Sequence, residues 1–167
     1  MIWLRRWKRI VRHGSRRSGR VETAFVLRYL GLSGKPRARP PYHGPAAALM
    51  NDKFSRKESA ALSAHGLAEL YSVLTRAPSP LLITALECWR MIEAGLLPYL
   101  ELVSLTANEY KQVVEECSKS GLVGGRVYDM IHIRAARKAG CTRLYTFNVK
   151  HFREIAPQDM RDLITSP

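Results

Sequence analysis

Acidic residues are nearly missing from the first quarter of this chain. Residues 1–42 contain one, Glu22, against 12 Lys and Arg, whereas residues 43–167 carry 15 bases and 13 acids. The formal charge of +13 therefore divides into +11 and +2, and overall basicity says little about the larger segment. Cysteine is also scarce. Cys88, Cys117 and Cys141 are odd in number and far apart, which argues against a disulfide framework or a cysteine-based zinc spacing and points to reduced thiols in a cytoplasmic protein. No run reaches the roughly 18 apolar residues of a membrane span, so no membrane partner is expected. The Arg-studded start lacks the apolar stretch of a secretory signal. The histidines show no zinc-ligand spacing, and His43, His65 and His132 read as packed or solvated residues.

What is present from residue 43 onward is the pattern of one regular α/β domain, 43–167, long enough to bury a core of its own. Pro45 to Phe54 opens with a proline suited to a first helical turn and continues through an alanine run. Ser63 can cap the next helix, whose Leu67, Leu70, Tyr71 and Leu74 recur at three- and four-residue steps before Pro78 and Pro80 stop it. Thr84 with Glu87, and Thr106 with Glu109, are capping boxes for two further helices. Gly95 and Gly121 supply their stops. Leu100 to Leu105 and Arg143 to Phe147 read as strands. Gly124 and Gly125 break the chain before a helix with Tyr128, Ile131, Ala135 and Ala139 at helical spacing. Helices alternating with strands imply a mainly parallel sheet covered on both faces, with any site at the carboxyl ends of the strands.

Two carboxylates stand out on these helices. Glu69 lies beside the apolar stripe of its helix, and Asp129 sits in a first turn, where the helix dipole favours negative charge. Burying either without a partner would be costly, and a metal site accounts for both at once. Their plain alternatives are a solvated acid on an amphipathic helix and a helix-end acid.

Three blocks around these acids resemble a known family. Ser63-Ala64-His65-Gly66-Leu67-Ala68-Glu69-Leu70-Tyr71-Ser72-Val73-Leu74-Thr75-Arg76, then Gly124-Gly125-Arg126-Val127-Tyr128-Asp129, then Leu144-Tyr145-Thr146-Phe147-Asn148-Val149-Lys150-His151-Phe152 are similar, in order and spacing, to the successive blocks of PIN domains of the VapC toxin type, over about residues 43–157. The resemblance implies a three-layer α/β/α fold with a central parallel sheet and single-strand-directed ribonuclease chemistry with Mg²⁺ or Mn²⁺. It also implies a cognate antitoxin and, more weakly, a homodimer. Glu69 would be the second acid of the site and Asp129 the third, ligating metal directly or through water and orienting the attacking water.

The chain departs from that pattern twice. Where the family commonly has an aspartate after the last strand, this chain has Asn148, with His151 three residues on. Asparagine can hold a water or a ligand oxygen but adds no charge, so Asn148 is read as a residue behind the metal or on the substrate side, or else as a turn residue. The second departure is at the start: no apolar strand ending in Asp-Thr or Asp-Ser stands before His43. The nearest imitation is Val21 to Leu27, with Glu22 where the aspartate would be. The first strand is therefore expected to be missing or altered. Residues 1–42 are open to three readings: a misread frame, a disordered basic tail, or an interfacial or RNA-gripping arm with Trp3, Trp7, Ile10 and Val11 on one face.

Two functions follow as expectations. One is a metal-dependent endoribonuclease, the toxin of a type II toxin–antitoxin pair, impaired if its first acid is lacking. The other is a non-catalytic PIN-like remnant that binds RNA or an antitoxin. A patch formed by Arg126, Arg134, Arg137, Lys138 and Lys150 could serve RNA in either, although an ordinary solvated helix face explains those residues better.

Overall fold

Short β-branched and apolar runs separated by capped helices leave the chain one economical arrangement, a parallel sheet with its crossovers on both faces. A computed structural model describes residues 22–25, 43–76 and 83–167. The strands are β1 (Thr23–Phe25), β2 (Ala60–Ser63), β3 (Leu100–Val103), β4 (Arg143–Tyr145) and β5 (Ile164–Thr165). They form one sheet in the order β3-β2-β1-β4-β5, and every pairing is parallel. The helices are α1 (His43–Ser55), α2 (Ala64–Arg76), α3 (Ala85–Gly95), α4 (Ala107–Lys119), α5 (Arg126–Lys138), α6 (Val149–Ile155) and α7 (Gln158–Arg161).

The first strand is altered rather than missing. Three residues from within the basic segment occupy the middle of the sheet, with Ala24 beside Ala61 on one side and Leu144 on the other. The β2, β3 and β4 segments therefore do not pair around a gap. Thr23 and Ala24 are buried. The other residues of the segment, 1–21 and 26–42, lie outside the described residues, and the arm, tail and frame readings lie there with them. So does the stop at Pro78 and Pro80.

Alternation along the strands separates two cores. Ala61 of β2 and Leu144 of β4 join Val113, Met130, Ile133, Phe152 and Ile164 on the face covered by α4 to α7. Ala60, Leu62 and Tyr145 point the other way, to Met50, Phe54, Leu70, Cys88 and Ile92 of α1 to α3. This is the three-layer α/β/α arrangement. The three cysteines are free thiols buried in these cores, and burial pushes the Cys141 thiol up to about 12, which keeps it unreactive. No helix among the described residues is long and apolar enough to cross a membrane.

Both expected capping boxes form. Thr84 N–H donates to Glu87 Oε2 at 2.9 Å, and Thr106 N–H donates to Glu109 Oε2 at 2.6 Å, with the reciprocal bonds to the threonine hydroxyls in place. Strand ends differ from expectation by a residue or two: β3 stops at Val103 and β4 at Tyr145. A fifth strand follows them. Ile164 pairs beside Leu144 and is buried, so β5 forms the edge of the sheet.

Two outcomes test this architecture. Ala24→Pro removes a donor from a strand paired on both sides and leaves a buried carbonyl unmatched. Urea denaturation should report a loss on the order of 1–3 kcal/mol. Glu109 is held at about 2 by the Lys138 ammonium and then by the Thr106 N–H. A carboxylate depressed in the folded state stabilises it above the unfolded value and loses that contribution as pH falls through the folded one. Acid titration of stability between pH 4.5 and about 2 should therefore be shallower in Glu109→Gln than in the parent chain.

Candidate active site

In a parallel sheet the loops leaving the carboxyl ends of the strands converge on one edge, and the helices that follow start there. The two helices carrying Glu69 and Asp129 meet at this edge. Ser63 ends β2 and caps α2, its Oγ accepting the N–H of Gly66 at 2.9 Å. Two turns into the helix Glu69 faces α5. Helix α5 begins after Gly124, whose φ of 62° a side chain would strain, and carries Asp129 in its first turn and His132 one turn on. Both are buried, Asp129 to 5% exposure and His132 to 2%.

His132 joins the two helices. Its Nδ1 lies 2.8 Å from Ser63 Oγ, and its Nε2 lies 2.8 Å from Glu69 Oε2. A second histidine, His65, brings Nε2 to 3.6 Å from Glu69 Oε1 and stacks on Tyr128, with ring centroids 5.0 Å apart and planes 9° apart. Tyr128 is 41% exposed at the rim. One acid, two imidazoles and an aromatic ring thus meet here, with Asp129 buried on the helix that carries His132.

Asn148 stands at the same sheet edge, after β4, as the residue before α6. Its N–H donates to the buried Thr146 Oγ1 at 3.1 Å, and its Nδ2 lies 3.1 Å from His151 Nδ1. It takes the role of a turn residue locally. Glu22 is elsewhere. Its N–H donates to Ser59 O, and its carbonyl accepts from Arg143 N–H and Thr142 Oγ1, which puts it at the amino edge. Strand β1, at about 3.3 Å per residue, runs from Glu22 to the carboxyl edge at which Glu69 lies.

Three of the five bases proposed as an RNA patch are engaged. Arg134 bonds Glu116, Arg137 pairs with Asp159, and Lys138 bonds Glu109 and the Ser104 carbonyl. Arg126, at the start of α5, and Lys150 are exposed.

A hard divalent ion is satisfied by one or two carboxylates completed by water and by substrate phosphate oxygens. Glu69 and Asp129 supply two carboxylates of that kind, on the facing helices α2 and α5. They do not match a cage built by protein alone, because among the described residues no group of three or more His, Cys, Asp or Glu is placed to hold a metal ion.

With this fold and site in view, comparison with known proteins is direct. The profile described as PIN domain matches residues 22–157, a span that includes β1. The chain belongs to the PIN domain family. Ribonuclease VapC27 of Mycobacterium tuberculosis (strain ATCC 25618 / H37Rv) is 32% identical over 102 residues, which cover 61% of this chain and 64% of that protein. The chain thus spans less than two thirds of the length of the curated relative it matches. No solved structure matches it.

Residue patterns alone missed Ser63, His65, His132 and Tyr128 as members of the site. A signal existed in the spacing: His65 with Glu69 at i,i+4 and Asp129 with His132 at i,i+3 share helix faces. Gly66 is the packing requirement beneath them. A Cβ there would stand 3.0 Å from both Leu62 Cδ1 and Ser63 Oγ and 3.3 Å from His132 Cε1. Gly66→Ala should cost about 1–3 kcal/mol through overpacking, less up to about 1 kcal/mol regained from helix propensity. Chemical denaturation measures the net change, and a midpoint raised in Gly66→Ala would contradict the close packing.

Proposed function

We propose that this chain is a metal-dependent endoribonuclease that cuts RNA at the carboxyl edge of its sheet, and that it is the toxin of a toxin–antitoxin pair. The observation that carries the reading is the meeting of Glu69 and the Asp129 helix through His132, in a chain that belongs to the PIN family over residues 22–157. Ribonuclease VapC27 supports the same reading by similarity.

Glu69 and Asp129 would hold Mg²⁺ or Mn²⁺. Such an ion, when bound, supplies a water acidic enough to attack near neutral pH and neutralises charge on the phosphate. The chain's own groups do the rest. Glu69 offers a carboxylate kept in one orientation by His132, and Asp129 offers a second from a rigid helix, as positioned catalysis requires. Asn148 lies on the substrate side, with an amide able to donate to a phosphate or ribose oxygen. Arg126 adds positive charge beside the rim. Two acids in place of a fuller set bind metal weakly, so activity needs high Mg²⁺ or Mn²⁺. The reading brings with it an antitoxin as protein partner, a homodimer and a cytoplasmic location.

One observation favours a second reading, a PIN scaffold that binds RNA or antitoxin without cutting. Glu22 lies at the amino edge of β1, away from Glu69 and Asp129.

Purified protein incubated with structured RNA and millimolar Mg²⁺ or Mn²⁺ separates the two. Cleavage is expected, and Glu69→Gln and Asp129→Asn should each lower it by more than about 100-fold, because partners behind a metal ligand alone contribute about 10–100-fold. Undiminished cleavage by both variants would reject the assignment, and RNA retention without cleavage by the parent chain would favour the scaffold.

A further inference from the structure

The site contains a polar chain that family membership does not assign. It begins at the backbone. The first N–H groups of a helix have no partner within it, and that of Gly66 is taken by Ser63 Oγ at 2.9 Å. A hydroxyl has one hydrogen and two acceptor lone pairs. With one lone pair occupied by Gly66, Ser63 can still donate its hydrogen, and His132 Nδ1 stands 2.8 Å away. On the far side of the ring, His132 Nε2 stands 2.8 Å from Glu69 Oε2.

These distances place a hydrogen bond at each ring nitrogen, and a carboxylate acceptor at Oε2 calls for the proton on Nε2. A ring protonated only at Nδ1 would aim the bare lone pair of Nε2 at a carboxylate oxygen, two acceptors in contact at a half-buried position with no proton between them. With the proton on Nε2, each contact has one donor and one acceptor: Gly66 N–H to Ser63 Oγ, Ser63 O–H to His132 Nδ1, and His132 Nε2–H to Glu69 Oε2. The chain runs from the positive end of the α2 dipole toward the negative carboxylate.

We propose that Ser63 and His132 form a positioning relay that fixes the rotamer of the Glu69 carboxylate through a hydrogen bond from His132 Nε2 to Oε2. His132 is the positioning residue, and Ser63 sets its tautomer. The inference rests on the nuclease reading for its consequence but not for its geometry. A glutamate has three rotatable bonds and would otherwise sample several orientations at the cleft edge. Held at Oε2, it turns Oε1 toward the rim formed by His65 and Tyr128. Outer partners of this kind orient a carboxylate before its ligand arrives and are worth about 10–100-fold in affinity or activity. Small residues make room for the relay. Ala24, Ala61, Ala135 and Ala136 let α5 lie close to the sheet, leaving a void of about 10 Å³ bordered by Ser63 and His132.

The test uses the full chain with ¹⁵N-labelled histidine in metal-free buffer, so that neither RNA nor metal enters the first readout. Imidazole nitrogen NMR should show His132 protonated at Nε2 with Nδ1 accepting a hydrogen bond. Ser63→Ala should move the Nδ1 resonance, and Glu69→Gln the Nε2 proton. Kinetics form the second readout: Ser63→Ala and His132→Gln should lower kcat about 10–100-fold while KM for RNA stays unchanged. The double variant should be little worse than the poorer single one, because both act through one carboxylate. A ring lacking a proton on Nε2 would overturn the relay, as would folded variants that cut at the parent rate. If His132→Gln does not fold, Ser63→Ala and the parent spectrum still decide. A parent chain that shows the Nε2–H signature yet cuts no RNA under any metal would refute the nuclease reading and leave the relay standing.

Discussion

The structure depends on three residues in the middle of its sheet. β2 and β3 form one half and β4 and β5 the other, and β1 is the strand that joins them. Parallel pairing requires a partner on both sides of a central strand, since an open edge there would leave buried amides and carbonyls without hydrogen bonds. Thr23 and Ala24 meet this requirement through their backbones, and the small side chain of Ala24 lies on the face that α5 covers. Through that contact the sheet decides where the carboxylates go: β2 ends at Ser63, α2 starts from it, and α5 crosses above, so Glu69 and His132 meet over the strand end.

Helix α5 serves both the core and the site. Met130, Ile131, Ile133, Ala135 and Ala136 are buried around it, and so are Asp129 and His132. A helix this enclosed has little freedom to move, and its polar groups are tolerated because each is partnered. The relay from the Gly66 amide through Ser63 and His132 to Glu69 satisfies His132 at both nitrogens. Packing and polarity are therefore coupled here, and a methyl group at Gly66 would disturb both.

Much of the fold was legible in residue patterns, for local reasons. Capping boxes at Thr84 and Thr106 are satisfied within four residues, so they form wherever the helix goes. Glycines 121 and 124 both adopt positive φ at the breaks where they were expected. The β3 and β4 strands were visible as apolar runs, although their ends, set by neighbours in the sheet, were not. The fifth strand was not visible because Ile164 and Thr165 are too few to carry a period. β1 was hardest: its three residues lie in a stretch whose arginines dominate the composition, and only pairing with Ala60–Leu62 and Arg143–Tyr145 reveals a strand. The histidines were discounted because shared helix faces, His65 with Glu69 and His132 with Asp129, are also ordinary packing, and partners 63 and 69 residues away cannot be read from a helix face.

Glu69 and Asp129, their helices and their place after strand ends follow from local order along the chain, because propensity, caps and apolar period act over a few residues. Which groups touch them does not. The distances from His132 to Ser63 and Glu69, the stacking of His65 on Tyr128, and the position of Glu22 at the far edge arise from how strands pair and helices cross. The pairing register and the packing of α5 on β2 bring together residues that the chain itself keeps far apart, Ser63 and Glu69 with His132.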